Sequence, residues 1–247
     1  MPPLLYKKIL DASAEVDERH QKLAKDSYDH FSLEYFVPHW HARFSKLQKY
    51  PLLVAPLGNL KEISQTGSRA WLIDNGLKDI SFFKGELSSC FRSPADTVLW
   101  LTPKESETKE YLFLSNLVGN NKLAALSEPR TVIGVGGGII CNAASFVAES
   151  LRADLIFATT TVMSMADVCG GKVRANLISQ GSEVKHYYKS FYEPNMILAD
   201  PRFLKPAPTI PTRSGIAELV KQGIFQSPAL LEFLMSDEFR PFDLSSD

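Results

Sequence analysis

Six short runs of apolar residues occupy the middle of the chain, and stretches with helical periodicity separate them. The runs cover residues 52–55, 70–73, 97–101, 131–135, 154–158 and 196–199. Runs without polar interruption are typical of strands that are buried on both faces of a parallel sheet. The intervening stretches include residues 110–126 and 139–151. This alternation predicts an α/β fold with a Rossmann-like, doubly wound sheet over residues 51–211.

Helical patterns flank this region on both sides. Residues 1–50 lack glycine and repeat apolar positions at roughly helical spacing among charged residues, which predicts an N-terminal helical segment. Residues 212–247 also have a helical pattern. We therefore expect three units, with the sheet in the second.

Composition narrows the class of protein. The 247 residues are 45% hydrophobic and 22% charged, which supports a globular core. Lys plus Arg number 27 against 28 Asp plus Glu, so no basic surface for nucleic acid is expected. No apolar run reaches the roughly 18 residues of a membrane helix, and the first residues do not form a secretory signal. We expect a cytoplasmic protein that binds neither nucleic acid nor membrane.

Cysteine and histidine give little indication of a metal site. The three cysteines form no CxxC pair, which argues against a disulfide frame and against a cysteine zinc site. His39 and His41 have the spacing that places two rings on one face of a strand, but no Cys or carboxylate partner is evident beside them. A surface or packing role is favoured for both.

A glycine cluster at residues 136–138 follows a predicted strand and precedes a predicted helix. Glycines let a ligand approach the backbone closely, and the free N–H groups of a helix start suit a pyrophosphate. The context favours a phosphate or dinucleotide site over a simple tight turn, although the motif is not GxGxxG.

Polar residues follow two other strands of the same predicted sheet. Asp74 either accepts hydrogen bonds from a ribose or forms an Asp-Asn-Gly turn. Thr160 and Thr161 either line the same crevice or cap the next helix.

Two charged segments lie further along the chain. Lys172 follows paired glycines and suits a phosphate or carboxylate, whereas on its own the segment reads as a solvated basic loop. Glu218 and Lys221 share one face of a predicted helix whose neighbouring residues are apolar. They form either a surface ion pair or a packed site whose buried carboxylate needs a cation or metal.

In their order along the chain, these segments resemble the sugar phosphate cyclases, the family that includes 3-dehydroquinate synthase. The segments that carry the resemblance are residues 136–148, 160–161 with Asp167, 170–172, Lys185 with 191–194, 200–204 and 214–221. The resemblance is specific from about residue 131 to 226 and faint from 51 to 130.

The resemblance implies an enzyme with an NAD-binding α/β domain and a helical domain that completes a divalent metal site, usually zinc. In that family NAD transiently oxidises a secondary alcohol of an anionic sugar phosphate, phosphate is eliminated, and an aldol step closes the ring. The implied activity is that of a carbon–oxygen lyase, and the implied assembly is a homodimer. Residues 212–247 would then be the beginning of the metal-binding domain.

The family pattern also assigns roles to residues. Those implied to contact NAD are Asp74, Gly136, Gly137, Gly138, Asn142, Thr160 and Thr161. Those implied to face the substrate are Asp167, Lys172, Lys185, Lys221 and Arg152, the last across a dimer. Glu218 is the implied metal ligand.

The chain departs from the family pattern at several positions. Cys141 and Asn142 stand where Gly and Asp are usual, and His186 stands where Asn is usual. The family also has an E-x-x-K motif, which Glu105 and Lys109 match only loosely. These changes leave the identity of the sugar phosphate open.

The greatest departure concerns the metal. No histidine follows Glu218, whereas the family has two metal-binding histidines downstream, and a catalytic zinc needs about three protein ligands. We expect a fragment, a truncated product or a chain that borrows a partner, with no cyclase turnover alone. The alternatives are a non-catalytic nucleotide-binding or interaction module and a related metal-dependent polyol or glycerol phosphate dehydrogenase.

Overall fold

The structure is a computed structural model that describes part of the chain. The described residues are 52–62, 67–91, 96–128, 130–167, 171–179, 181–205, 209–225 and 227–239. The helical segment predicted for residues 1–50, with His39 and His41, lies outside them. None of the helices in the described ranges has the length and apolar character to span a bilayer.

Six parallel strands form the central sheet, and each coincides with one of the apolar runs. The strands are β1 (Leu52–Val54), β2 (Ser68–Asp74), β3 (Asp96–Leu101), β4 (Arg130–Gly136), β5 (Asp154–Thr159) and β8 (Met196–Ala199). Their spatial order is β1-β8-β5-β4-β2-β3. The predicted α/β fold with a doubly wound sheet is therefore confirmed.

Helices cover the faces of the sheet. They are α1 (Ser81–Cys90), α2 (Glu105–Thr108), α3 (Tyr111–Val118), α4 (Asn121–Ala124), α5 (Gly138–Leu151), α6 (Val162–Asp167), α7 (Thr209–Phe225) and α8 (Pro228–Met235). Three 3-10 helices, Leu57–Glu62, Asn75–Asp79 and Pro201–Leu204, connect other elements. The single helix expected over residues 110–126 is divided, because Asn120 accepts the N–H of Lys122 and caps a new helix.

A β-hairpin replaces the basic loop expected after Lys172. Strands β6 (Lys172–Ser179) and β7 (Ser182–Phe191) pair antiparallel. Val173 and Ala175 are fully buried and alternate with more exposed residues, which is the period of a strand with one buried face. The loop prediction was wrong because frequent charged residues obscured this alternation.

Apolar residues pack on both faces of the sheet, which explains why the runs lack polar interruption. In β2, Ala70 and Leu72 join the core on one face, and Trp71 and Ile73 join the core on the other. All four side chains are fully buried. Helix α5 lies over the first face, so its glycine-rich start is held at the end of β4.

Residues 200–204, one of the segments that carry the family resemblance, connect several elements of the fold. Arg202 donates to both carboxylate oxygens of Glu86 at 2.6 Å and to Asp200 at 2.6 Å. Asp200 also accepts the N–H of Leu57 at 2.8 Å. These bonds connect β8, α1 and the first 3-10 helix on the side of the sheet away from α5. In this chain the segment stabilises the fold and takes no part in the cleft.

Candidate functional site

The sheet contains a point at which its strand order reverses direction. From β2 the chain adds β3 on one side, and then crosses to place β4, β5 and β8 on the other. Crevices at such points, outside the carboxyl ends of the strands, are the usual ligand sites of doubly wound sheets. Asp74 ends β2 and Gly136 ends β4, so both residues stand at this crevice.

The glycine turn presents an uncovered helix start. Gly137 precedes α5 and has no side chain with which to cap it. A Cβ atom on Gly138 would meet no atom within 4 Å, whereas one on Gly137 would lie 3.2 Å from Cγ2 of Thr161. The first N–H groups of a helix lack intrahelical partners and carry partial positive charge. The open space beside Gly138 therefore suits a phosphate group.

Asp74 forms the Asp-Asn-Gly turn and also faces the crevice. Its Oδ1 accepts the N–H of Gly76 at 2.8 Å, which caps the 3-10 helix that follows. Burial raises the pKa of the Asp74 carboxyl above its usual range, partly offset by the bond from Gly76. The turn interpretation is confirmed, and the contact with a ribose stays a prediction.

The two threonines after β5 make different hydrogen bonds. Thr161 caps α6, because its Oγ1 accepts the N–H of Ser164 at 3.1 Å. Thr160 is buried, and its N–H donates to the carbonyl of Gly136 at 3.2 Å. This bond joins the β5 turn to the glycine turn, so the two threonines line the same edge of the sheet.

A cleft of about 510 Å³ opens directly beside Gly138. It is lined by Glu105, Lys109, Gly138, Ile139, Cys141, Asn142, Ser145, Phe157, Met163, Asp167, Lys172, Arg174 and His186. Two ion pairs lie in its wall: Lys172 Nζ is 3.0 Å from Asp167 Oδ1, and Lys109 Nζ is 2.8 Å from Glu105 Oε1. The cleft therefore carries cations that an anionic ligand could contact.

Hairpin β6–β7 forms one wall of this cleft. Asn142 on α5 bonds to both main-chain groups of Arg174: its Nδ2 donates to the carbonyl at 2.7 Å, and its Oδ1 accepts the N–H at 2.8 Å. The Arg174 guanidinium donates to the carbonyls of Val173 and Ser190 and lies 5.0 Å from the ring centre of Phe191. The cofactor contact predicted for Asn142 is untested, and the structure gives its amide these bonds.

His186 reaches the cleft from an irregular position in β7. Its φ is 54°, and the register of the hairpin shifts between Ala175 and Leu177 on the opposite strand. Asn176 fixes this irregularity, because its Oδ1 accepts the N–H of His186 at 2.9 Å and its N–H donates to Lys109 at 2.8 Å. Non-glycine residues with positive φ are uncommon and often lie at functional sites.

Cys141 also lines the cleft, in place of the usual glycine. Its Sγ lies 3.8 Å from the carbonyl of Gly136, and burial raises the pKa of its thiol to about 12. A thiol with that pKa stays protonated at neutral pH, so Cys141 is not suited to act as a nucleophile.

Other predicted site residues lie apart from the cleft. Lys185 is exposed on β7 and is not among the lining residues. Arg152 is exposed at the end of α5 opposite to Gly138, and 14 helical residues span about 20 Å. A contact between Arg152 and this cleft would need a second copy, as the family resemblance implies.

Glu218 and Lys221 form an ion pair with each other on α7. The Glu218 side chain is 15% exposed and that of Lys221 is 54% exposed, so the carboxylate is mostly buried and already has a cation. In the ranges that the structure describes, no group of three His, Cys, Asp or Glu side chains has the geometry to hold a metal. The described residues therefore do not fit the expected zinc.

Four cleft residues were underrated by sequence reasoning. Glu105 and Lys109 carried a signal, because four residues separate two opposite charges on one helix face. Arg174 was part of the basic segment after Lys172 and was not singled out, and His186 was identified only as a departure from the family pattern. Their positions depend on the hairpin and its irregular register, which sequence spacing does not encode.

Comparison with known proteins finds sequence similarity over part of the chain. Residues 100–214 match the family model of the N-terminal part of 3-dehydroquinate synthase. The 3-dehydroquinate synthase of Cutibacterium acnes is 34% identical over 126 residues, which are 50% of this chain and 34% of that protein. That of Sulfolobus acidocaldarius is 35% identical over 106 residues, 42% of this chain and 29% of that protein. Part of this chain is therefore similar to the N-terminal part of 3-dehydroquinate synthases.

Solved structures of sugar phosphate cyclases share the fold. A 2-deoxy-scyllo-inosose synthase matches with a TM-score of 0.58 and 22% identity over 70% of this chain and 49% of that one. The 2-epi-5-epi-valiolone synthase of Streptomyces hygroscopicus, solved with NAD+ and Zn2+ bound, matches with a TM-score of 0.59 and 20% identity over 75% of this chain and 52% of that one. The chain spans about a third of the length of the curated cyclases named above.

Proposed function

We propose that the α/β unit binds NAD at the crevice between β2 and β4 and an anionic sugar phosphate in the adjoining cleft, as in a sugar phosphate cyclase. The observation that carries this proposal is the open space above Gly138, where the uncapped start of α5 meets the cleft. A pyrophosphate would receive N–H groups there. Asp74 stands across the crevice, where its carboxylate would accept bonds from a ribose.

The chemistry that bound NAD supplies is hydride transfer at a secondary alcohol of the sugar, and the protein's own residues do the rest. Lys172 and Lys109 would hold the phosphate, since an ammonium group is a compact point charge with three donors. In the structure both are paired with carboxylates. Lys172 and Asp167 are about half exposed, and such pairs contribute about 0–1 kcal/mol, so a phosphate can displace the carboxylate at little cost.

The carboxylates would then be free to act on the sugar. Asp167 and Glu105 each accept a bond from a lysine that we assign to phosphate binding. Once that lysine turns to the phosphate, either carboxylate could accept a hydroxyl proton of the sugar if it lies within hydrogen-bond reach. Cys141 is excluded from this task by its raised thiol pKa.

The described residues do not assemble a metal site. Glu218 would need ligands from outside the described residues, and its carboxylate is paired with Lys221. The same observation favours a second candidate function, a nucleotide-binding module without catalysis. A dehydrogenase is a weaker candidate: glycerol dehydrogenase of Schizosaccharomyces pombe matches with a TM-score of 0.51 and 21% identity over 72% of this chain, which reflects the fold alone.

The proposal is tested by measuring NAD affinity calorimetrically in wild type and in Gly138→Val. The Cβ atom of the new side chain meets no neighbouring atom within 4 Å, so the fold should be retained, but the side chain would occupy the place of the pyrophosphate. Gly85→Val is the matched control, because Gly85 is also helical and a Cβ there also meets nothing within 4 Å. Gly137→Val is less suitable, since it would press on Thr161.

We expect NAD affinity to fall at least about tenfold in Gly138→Val, or 1.4 kcal/mol, and to stay unchanged in Gly85→Val. Equal NAD affinity in all three folded proteins would overturn the proposed site. If NAD binds as expected, phosphate release from a seven-carbon sugar phosphate separates the functions. Release supports a cyclase, and binding without release or hydride transfer supports the nucleotide-binding module.

A further inference from the structure

We propose that Asn142 is a positioning residue: it holds the hairpin that carries Lys172 at a fixed place relative to the anion-binding start of α5. This differs from the cofactor contact that the family pattern implies for its position. The proposal rests on the proposed function for the identity of the ligands, while the hairpin attachment itself rests on the structure.

The attachment is a two-point hydrogen bond between elements distant in sequence. Asn142 is 8% exposed, and its amide donates to the Arg174 carbonyl and accepts the Arg174 N–H at 2.7 and 2.8 Å. A carboxylate in this place could accept but not donate, and its second oxygen would face the Arg174 carbonyl. The amide is therefore the side chain that satisfies both main-chain groups.

The position of this bond connects the two halves of the proposed site. Asn142 lies one helical turn after Gly138 on α5, and Lys172 lies two residues before Arg174 on β6. Residues two apart on a strand share a face, and Lys172 and Arg174 both line the cleft. Fixing Arg174 thus fixes the side from which Lys172 reaches a ligand bound beside Gly138.

Other bonds between α5 and the hairpin lie at the opposite end of the helix. Ser190 donates to Glu149, and the Tyr192 hydroxyl donates to the carbonyl of Ala153 at 2.7 Å. These contacts attach the hairpin near the last turn of α5, away from the cleft. Ser190 is paired with Val173, beside Arg174, so these contacts still attach the hairpin when the Asn142 bond is lost. Loss of the Asn142 bond should therefore loosen β6 locally, at Arg174 and Lys172, without detaching the hairpin from α5.

The test compares Asn142→Leu and Asn142→Asp with wild type and with Ser145→Ala. Ser145 is a suitable control because it lines the same cleft, is buried on the same helix, and bonds only within it, to the carbonyl of Cys141. Hydrogen exchange at the Arg174 amide reports the attachment. Calorimetric affinities for NAD and for inorganic phosphate report the two sides of the site. The Asp variant is nearly isosteric, keeps an acceptor for the Arg174 N–H and loses the donor to the Arg174 carbonyl. Its phosphate affinity keeps the test decisive if the Leu variant does not fold.

We expect Arg174 exchange to accelerate at least about tenfold in Asn142→Leu, to accelerate less in Asn142→Asp, whose carboxylate still accepts the Arg174 N–H, and to stay unchanged in Ser145→Ala. Phosphate affinity should fall about tenfold while NAD affinity changes less than about threefold. Unchanged Arg174 exchange would overturn the proposal, as would loss of NAD affinity with phosphate affinity retained, because Asn142 would then contact the cofactor. If wild type binds neither ligand, the proposed function fails, and the exchange rates still decide the attachment.

Discussion

Asp74 lies directly against Gly136 at the carboxyl ends of adjacent parallel strands. A Cβ atom on Gly136 would stand 3.1 Å from the Cβ of Asp74 and 2.9 Å from two side-chain atoms of Ile140. The absence of a side chain at Gly136 therefore lets the first turn of α5 and the Asp74 carboxyl approach the same crevice. A dinucleotide bound there would meet N–H donors on one side and a carboxylate on the other.

The raised pKa of Asp74 predicts a conflict between stability and binding. The pKa of Asp74 is higher in the folded state than its usual 3.8, because the native state holds the proton more tightly. The free energy of unfolding therefore decreases as the pH rises from about 3.8 past the folded-state pKa, where the buried carboxyl ionises. Asp74→Asn should therefore have a larger free energy of unfolding than wild type at pH 7. The gain should shrink below about pH 4, where Asp74 is protonated. NAD affinity should fall in the same variant.

Denaturant unfolding of both proteins between pH 3 and pH 7 measures this effect. Asp79→Asn is the control, since Asp79 is exposed in the same 3-10 helix. A stability difference for Asp74→Asn that is negative at neutral pH, or that does not change with pH, would show that burial of the Asp74 carboxylate carries no cost.

Loss of the Glu86–Arg202 ion pair should lower the free energy of unfolding at acidic pH, whereas ionisation of the buried Asp74 lowers it at neutral pH. Hydrogen bonds from Arg202 lower the pKa of Glu86 below its usual 4.5. An acid with a lowered folded-state pKa contributes stability that is present above its usual value and is lost as the pH falls through the folded value. Wild type should therefore lose more unfolding free energy between pH 5 and pH 3 than Arg202→Gln does. Arg130→Gln, which removes a surface pair with Glu128, should keep the wild-type slope.

Gly171 and Gly181 form a matched pair at the two ends of strand β6. Both have positive φ, of 57° and 78°, but a Cβ atom on Gly171 would stand 2.9 Å from the carbonyl oxygen of Tyr192, whereas one on Gly181 would meet nothing within 4 Å. Gly181→Ala should cost about 1 kcal/mol of unfolding free energy for its backbone conformation alone. Gly171→Ala should cost clearly more, because main-chain atoms cannot move aside. Equal costs in chemical denaturation would contradict the packing described for the hairpin.

The ion pair on α7 predicts a mild phenotype for Glu218→Gln. Helical pairs of this spacing contribute about 0.2–0.5 kcal/mol, so the unfolding free energy should change by no more than that. We also predict weak or no zinc binding by this chain, as measured by zinc titration of wild type and variant. Tight stoichiometric zinc that disappears in Glu218→Gln would show that Glu218 gains further ligands and that its pairing with Lys221 gives way to a metal.

The sequence predicted those features that depend on local pattern. The six sheet strands were evident because their runs are almost entirely apolar. In the central strands the reason is burial on both faces, as Trp71 and Leu72 show in β2. The glycine turn and Asp74 could be identified as candidate site residues because each directly follows a predicted strand. The hairpin was missed because its pattern is mostly polar. The positions of Arg174 and His186, which depend on the hairpin, were therefore missed as well. Those positions are set by pairing between residues distant in sequence, at an irregular register that no spacing rule gives.

The central claim is that NAD binds over the start of α5, and hydrogen exchange of the wild-type chain with and without NAD tests it most directly. We predict slower exchange at the amides of Gly138, Ile139 and Ile140, which begin α5 beside the open cleft, and at the Asp74 turn. Helices α7 and α8 should show no change. The account would be contradicted if NAD left the α5 amides unaffected, or if its protection fell instead on α7 and α8.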